Sequence, residues 1–174
     1  MSKECEKLHQ IFNSMKKYSF PFDKNKIPKN GIYILFEKGE KAHSGNRVVR
    51  IGTHTGKNQL CSRLFQHFVN ENKDRSIFRK NIGRALLNKN KDLFLEKWNL
   101  DLTTRKAKEK YSKLVDLKKQ KQVEKRVTRY IQDNFSFIVF EVKSPFKKLN
   151  TSFGIFSNIK YRNTTLYLNI MFRI

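Results

Sequence analysis

The chain has 174 residues and a mass of 20.8 kDa, about one domain, and 38% of it is apolar, enough for a single core. Its 38 Lys and Arg outnumber 15 Asp and Glu, and a net charge of +23 calls for a polyanionic partner, nucleic acid before a lipid surface. No apolar stretch approaches the roughly 20 residues of a membrane span, no secretory signal opens the chain, and two cysteines, Cys5 and Cys61, make neither a disulfide framework nor a cysteine-rich zinc site; a cytoplasmic protein with no membrane partner is expected.

Leu8, Ile11, Phe12 and Met15 recur at helical spacing, so residues 3–17 predict a short amphipathic helix. Pro21, Pro28 and Gly31 punctuate the stretch after it. The apolar run 31–36 predicts a buried strand, and 47–52 a second one paired with it through a long polar loop. Helices are expected near 59–70, on Leu60, Leu64 and Phe68, and over 76–88, on Phe78, Ile82, Ala85 and Leu86; Ile77 is counted as core as well. A longer helix is expected over 103–133 on the stripe Ala107, Tyr111, Leu114, Val115, Val123, Val127 and Ile131. From Arg105 to Arg129 this segment carries eleven basic and three acidic residues, so its outer face is strongly positive. Residues 135–142 predict a third strand. The Asn-, Thr- and aromatic-rich tail, 143–174, has weak periodicity and predicts no element. His9 and His43 are expected at the surface, and Trp98 in packing.

Tyr33 lies early in the first strand and Arg50 near the end of the second, while Arg63 and His67 share a helix face at i, i+4. One reading is a phosphodiester site. A guanidinium fork clamps phosphate, and a phenol surrounded by Arg50, Arg63 and a metal ion gains the acidity that a base for water requires. The other reading is a core tyrosine with an Arg–His pair on a solvated face.

Gly31-Ile32-Tyr33, Arg50-Ile51-Gly52 and Leu60-x-x-Arg63-Leu64-x-x-His67, in this order, resemble the GIY-YIG nuclease family. Residues 47–54 with Arg75-Ser76-Ile77-Phe78-Arg79-x-x-Ile82-Gly83-x-Ala85-Leu86 are similar to an uncharacterised bacterial subgroup of it. The resemblance covers roughly 31–142. It implies an α/β (α+β) fold, a small three-stranded antiparallel sheet flanked by helices, and a metal-dependent DNA endonuclease using Mg²⁺ or Mn²⁺, with no small-molecule cofactor and room for a homodimer. The implied organisation is an N-terminal helical extension (1–28), the nuclease domain (29–142) and a divergent or shortened C-terminal segment (143–174). Carried across, Tyr33 is the general base, Arg63 the phosphate clamp, and His67 the histidine of restriction-enzyme-like members.

Two departures stand out. Arg50 occupies the position where the family usually has a tyrosine, and an arginine can hold phosphate or acidify the phenol but cannot be a base. The family's metal-binding glutamate comes from a late helix, yet residues 143–174 contain no acidic residue. The stand-ins are Glu124 and Glu141, whose plainer readings are a helix-surface ion pair and an outward strand residue. Without the ligand, the alternative is a catalytically impaired family member that binds nucleic acid. His54, in the loop after the second strand, is either a cleft residue or an ordinary loop histidine. Arg75, Arg79, Arg84, Lys118, Lys119, Lys121 and Lys125 are the expected DNA contacts.

Overall fold

The computed structural model describes residues 3–142 and the backbone of 158–161 and 164–167. The expectation of a divergent C-terminal segment falls largely outside the described residues. Helix α1 spans Lys3–Ser14, and the two-residue strand β1 spans Tyr18–Ser19. Strands β2 (Gly31–Ala42) and β3 (Gly45–Thr53) form a hairpin, followed by α2 (Leu60–Phe68), α3 (Ile77–Lys89) and α4 (Phe94–Asn99). Then come α5 (Arg105–Tyr111), α6 (Leu117–Asn134) and β4 (Phe135–Glu141), and an antiparallel pair, β5 (Asn158–Tyr161) and β6 (Thr164–Tyr167).

The sheet runs β1-β4-β2-β3 with every pairing antiparallel. The three expected strands form it together with β1, paired at the edge of β4. Central β2 is buried over all of 31–36 because both its faces are covered, which is why its sequence reads as a continuous apolar run. One face carries Tyr33 and Leu35 against α2, α3 and α6; the other packs Ile32, Ile34 and Phe36 against Phe12 of α1, with Ile138 and Phe140 of β4 beside them.

The hairpin is longer than its sequence predicts. Where a long loop was expected, Lys41 pairs with Asn46 and Ala42 with Gly45, beyond irregularities after Leu35 and Phe36. His43 (φ 51°) and Ser44 (φ 61°) close it as a two-residue turn with both residues left-handed, the geometry that matches strand twist. Gly39 (φ 89°) takes the positive dihedral within the irregular stretch. The polar residues 37–41 hid this part because it projects past the core.

The expected 103–133 helix is two helices. Val115 and Asp116 are extended, and the Asp116 carboxylate accepts from the amides of Lys118 (2.8 Å) and Lys119 (3.1 Å), capping a new helix start. Leu114, placed in the apolar stripe, is consequently exposed, and so is Ile77 at the first position of α3. Short α4 carries no strong periodicity, but it seats Trp98, fully buried over Gly83. A Cβ there would fall 2.2 Å from the indole ring. Among the described residues no helix is long and apolar enough to cross a membrane.

Candidate active site

Helix α2 buries Leu60, Leu64 and Phe68 against the sheet, and this turns His67 inward while Arg63, one turn earlier, stays half-buried at the rim. His67 Nε2 lies 2.7 Å from the Tyr33 hydroxyl, and its Nδ1 lies 2.8 Å from Ser76 Oγ. Ser76 is the N-cap of α3 and accepts from the Arg79 amide (3.2 Å). Arg50 Nε donates to the Tyr33 oxygen at 3.4 Å, its guanidinium lying 5.8 Å from the Phe78 ring centroid. The arrangement that satisfies this network has Tyr33 donating its proton to Nε2 and Nδ1–H donating to Ser76. Burial first, then the charges of Arg63, Arg50 and Arg79, hold the His67 imidazole well below its ordinary pKa of 6.5. His67 is therefore a neutral acceptor at pH 7.

Gly52 explains why the second triplet ends in glycine. It pairs with Tyr33 across the hairpin, and a Cβ there would lie 2.3 Å from the phenol oxygen. The phenol thus crosses β3 over a residue with no side chain. It is completely covered: Tyr33 has 0% exposure, and half-buried Arg50 lies over its oxygen.

Beside this network a cleft of about 310 Å³ opens between the end of β3, α2 and the approach to α3. Its lining is hydroxyls (Thr53, Thr55, Ser62), amides (Gln59, Gln66), His54, and the guanidinium groups of Arg63 and Arg75. Arg63 is braced by Nη1, which donates to Gln66 Oε1 (2.7 Å) and the Arg75 carbonyl (3.0 Å). The cleft is cationic and rich in donors, as a phosphate site requires. Its residues do not by themselves fit a hard divalent cation, since among the described residues no carboxylate lines it.

Several expected site residues lie elsewhere. Arg79 is not a DNA contact: it is fully buried, donating to Glu124 Oε2 (2.6 Å from Nη2), to the Glu124 carbonyl (3.1 Å), to the His67 carbonyl (3.0 Å) and to Thr128 Oγ1 (2.7 Å). Glu124 is correspondingly no free metal ligand and no helix-surface pair. It is 2% exposed, with Oε2 on Arg79 and Oε1 accepting from the Lys73 amide. His54 lines the cleft, but both ring nitrogens are committed: Nε2 accepts from the Gly31 amide (3.2 Å) and Nδ1 donates to the Gly56 carbonyl (2.9 Å). It is a buried staple of the loop. Glu141 is exposed, opposite Gly31, and hence on the Tyr33 face of the sheet.

Arg75, Lys118, Lys121 and Lys125 are exposed, Lys119 pairs with Asp92 (2.9 Å), and Arg84 donates to Asn99 and Asn81. Of these, Arg75 alone lines the cleft. The sequence reading missed Ser76 and Gln66 as partners of His67 and Arg63. The signals were present: a serine immediately before an apolar helix start, and a glutamine three residues after the arginine.

Comparison with known families adds a decisive match. The GIY-YIG domain model aligns with residues 3–151. The chain belongs to the GIY-YIG family. That family comprises nucleases that are generally dependent on a divalent metal. Comparisons with curated proteins and with solved structures return no match. In this GIY-YIG chain the first triplet supplies Tyr33, the second supplies Arg50 and Gly52, and α2 supplies Arg63 and His67, brought together on one face of the sheet.

Proposed function

We propose that this GIY-YIG protein is a DNA endonuclease in which Tyr33 and His67 move protons and Arg63 holds the scissile phosphate. The observation that carries the reading is the 2.7 Å contact between the Tyr33 hydroxyl and a histidine kept neutral by its surroundings. DNA enters the cleft, where Arg63 and Arg75 take phosphate oxygens as charge-assisted hydrogen bonds. Arg50, held by one long hydrogen bond and the face of Phe78, is drawn to the phosphate and uncovers the phenol. The phenol proton passes to His67 Nε2, and the phenolate takes a proton from the attacking water. A hydroxide–phosphorus bond forms, the bond to the leaving oxygen breaks, and that oxygen takes a proton from solvent. The His67 imidazolium, disfavoured among its guanidinium neighbours, gives its proton back to solvent and is restored as a neutral acceptor. Arg63 stabilises the charge that builds on the phosphate.

The metal is to be Mg²⁺ or Mn²⁺, ions that prefer oxygen ligands. Of the two carboxylates considered, Glu141 is the remaining candidate, because it is exposed and on the Tyr33 face.

A second reading is a family member that binds DNA without cutting it. It is favoured by the full burial of Tyr33 and by the absence, among the described residues, of a carboxylate from the cleft lining. Incubating duplex DNA with the protein in Mg²⁺ or Mn²⁺, with a chelator control, separates the two. Chelator-sensitive cleavage supports the endonuclease. Tight binding without cleavage in either metal supports the second reading.

A further inference from the structure

His9 and His43 belong to segments 34 residues apart in sequence, yet both sit beside Cys5 at the far end of the hairpin from the candidate active site. Cys5 and His9 occupy one face of α1 at i, i+4, and His43 opens the β2–β3 turn. Cys5 Sγ lies 3.8 Å from His9 Nδ1 and 3.7 Å from His43 Nε2, and the three ligand atoms all fall within 4.8 Å of one another. Tetrahedral zinc, with bonds of about 2.3 Å to sulfur and about 2.0 Å to nitrogen, sets those S···N separations near 3.6 Å. The cluster is thus close to ligating geometry before any ion arrives.

The framework around it is fixed. Asn13, one turn beyond His9, donates from Nδ2 to the Asn46 carbonyl (3.0 Å) and the His9 carbonyl (2.9 Å), and its Oδ1 accepts from the Asn46 amide (2.9 Å). Gly45 allows this clamp, because a Cβ there would lie 2.8 Å from Asn13 Nδ2. The left-handed pair His43 and Ser44 holds the turn that carries the third ligand, and the two imidazole rings are 4.4 Å apart. Helix and turn are therefore locked to each other independently of the three ligands.

We propose that Cys5, His9 and His43 form a Zn²⁺ site of three protein ligands and one water, which fastens α1 to the tip of the hairpin. Thiolate and imidazole donors suit zinc, not the oxygen-preferring ions of phosphodiester cleavage. On binding, the Cys5 thiol releases its proton to solvent. His9 Nδ1, now hydrogen-bonded to the Cys5 carbonyl at 3.0 Å, ligates the ion with its proton carried on Nε2 instead. Ten residues of strand separate His43 from Tyr33, roughly 30 Å along β2, and α1 covers the opposite face of the sheet. The site is thus separate from the candidate active site, and it stands whether or not the chain cuts DNA.

The test uses the full chain, reduced, in excess Mg²⁺. Co²⁺ is titrated as a spectroscopic probe and Zn²⁺ by calorimetry, on the wild type, Cys5→Ser, His43→Ala and Tyr33→Phe. One Co²⁺ per chain should bind, with a thiolate-to-metal charge-transfer band and tetrahedral d–d bands. Cys5→Ser should lose the charge-transfer band. His43→Ala should weaken Zn²⁺ by more than the roughly 10–100-fold cost of losing an outer-shell partner, while Tyr33→Phe binds as the wild type does. Zn²⁺ at about a hundred times its Kd should raise the wild-type Tm by roughly 5–10 °C. This last reading needs no variant to fold. A wild type without the thiolate band, or Zn²⁺ binding that Cys5→Ser and His43→Ala leave unchanged, overturns the proposal.

Discussion

Burial decides what His67 is for. A histidine one turn after an arginine on an exposed face would titrate near its ordinary pKa, but this one is fully buried among three guanidinium groups. The unfolded chain takes up a proton near pH 6.5 that the folded chain refuses, so the unfolded state binds more protons and folding weakens as pH falls below 6.5. Denaturant titrations at pH 7.5, 6 and 5 should show this loss, and His67→Gln should remove up to about 1.4 kcal/mol of it per pH unit. An identical pH dependence in the variant would mean that His67 is protonated in the folded state. The two glutamates separate in the same way. Glu124→Gln leaves Arg79 buried without a counter-charge and should lower stability by about 3–5 kcal/mol in urea titration. Glu141→Gln should change stability by less than about 0.5 kcal/mol and abolish metal-dependent cleavage. A stable but inactive Glu124→Gln would return the metal to Glu124. Tyr33, Arg50, Arg63 and His67 were legible in the sequence because their motifs are local in spacing and linked in order. Arg79 and Glu124 were not, since each reads as a surface charge until its partner, 45 positions away, is placed beside it.

At the scale of elements, alternation and apolar runs located β2, β3, β4, α2 and α3, because each buries a face that its sequence must supply. What went unseen was governed by hydrogen bonds that periodicity does not register. The break between α5 and α6 is made by Asp116, whose carboxylate competes for the backbone amides that a continuous helix would use. Asp116→Ala should therefore lower stability by about 1 kcal/mol, read as a shift in the denaturation midpoint. No shift would show that the cap is dispensable. The extension of the hairpin to Ala42 likewise rests on a left-handed turn and an irregular polar stretch, neither of which alternates. The buried face of α3 reads as interrupted because Arg79 and Gly83 occupy inward positions, one for an ion pair and one for an indole ring.

For the whole molecule, a charge of +23 should dominate the encounter with DNA that the proposed function requires. Affinity for duplex DNA should fall steeply with salt, because each neutralised phosphate releases counterions. Replacing Lys118, Lys121 and Lys125 of α6 with Ala should flatten the slope of log affinity against log salt by about one for each phosphate left unneutralised, measured by fluorescence anisotropy. An unchanged slope would place α6 away from the DNA, and Arg63 and Arg75 at the cleft would then carry the interaction. The family and the antiparallel sheet agree, and the fold brings Tyr33, Arg50 and His67 together beside the Arg63 cleft. In the proposed mechanism, the phenol of Tyr33 is the group on which the chemistry turns. Tyr33→Phe removes one oxygen and leaves the ring that packs against His67. In Mg²⁺ or Mn²⁺, the variant should bind DNA as the wild type does and cut it at least about a hundredfold more slowly, the scale of a missing proton-transfer group. A Tyr33→Phe protein that cuts at the wild-type rate would contradict the account.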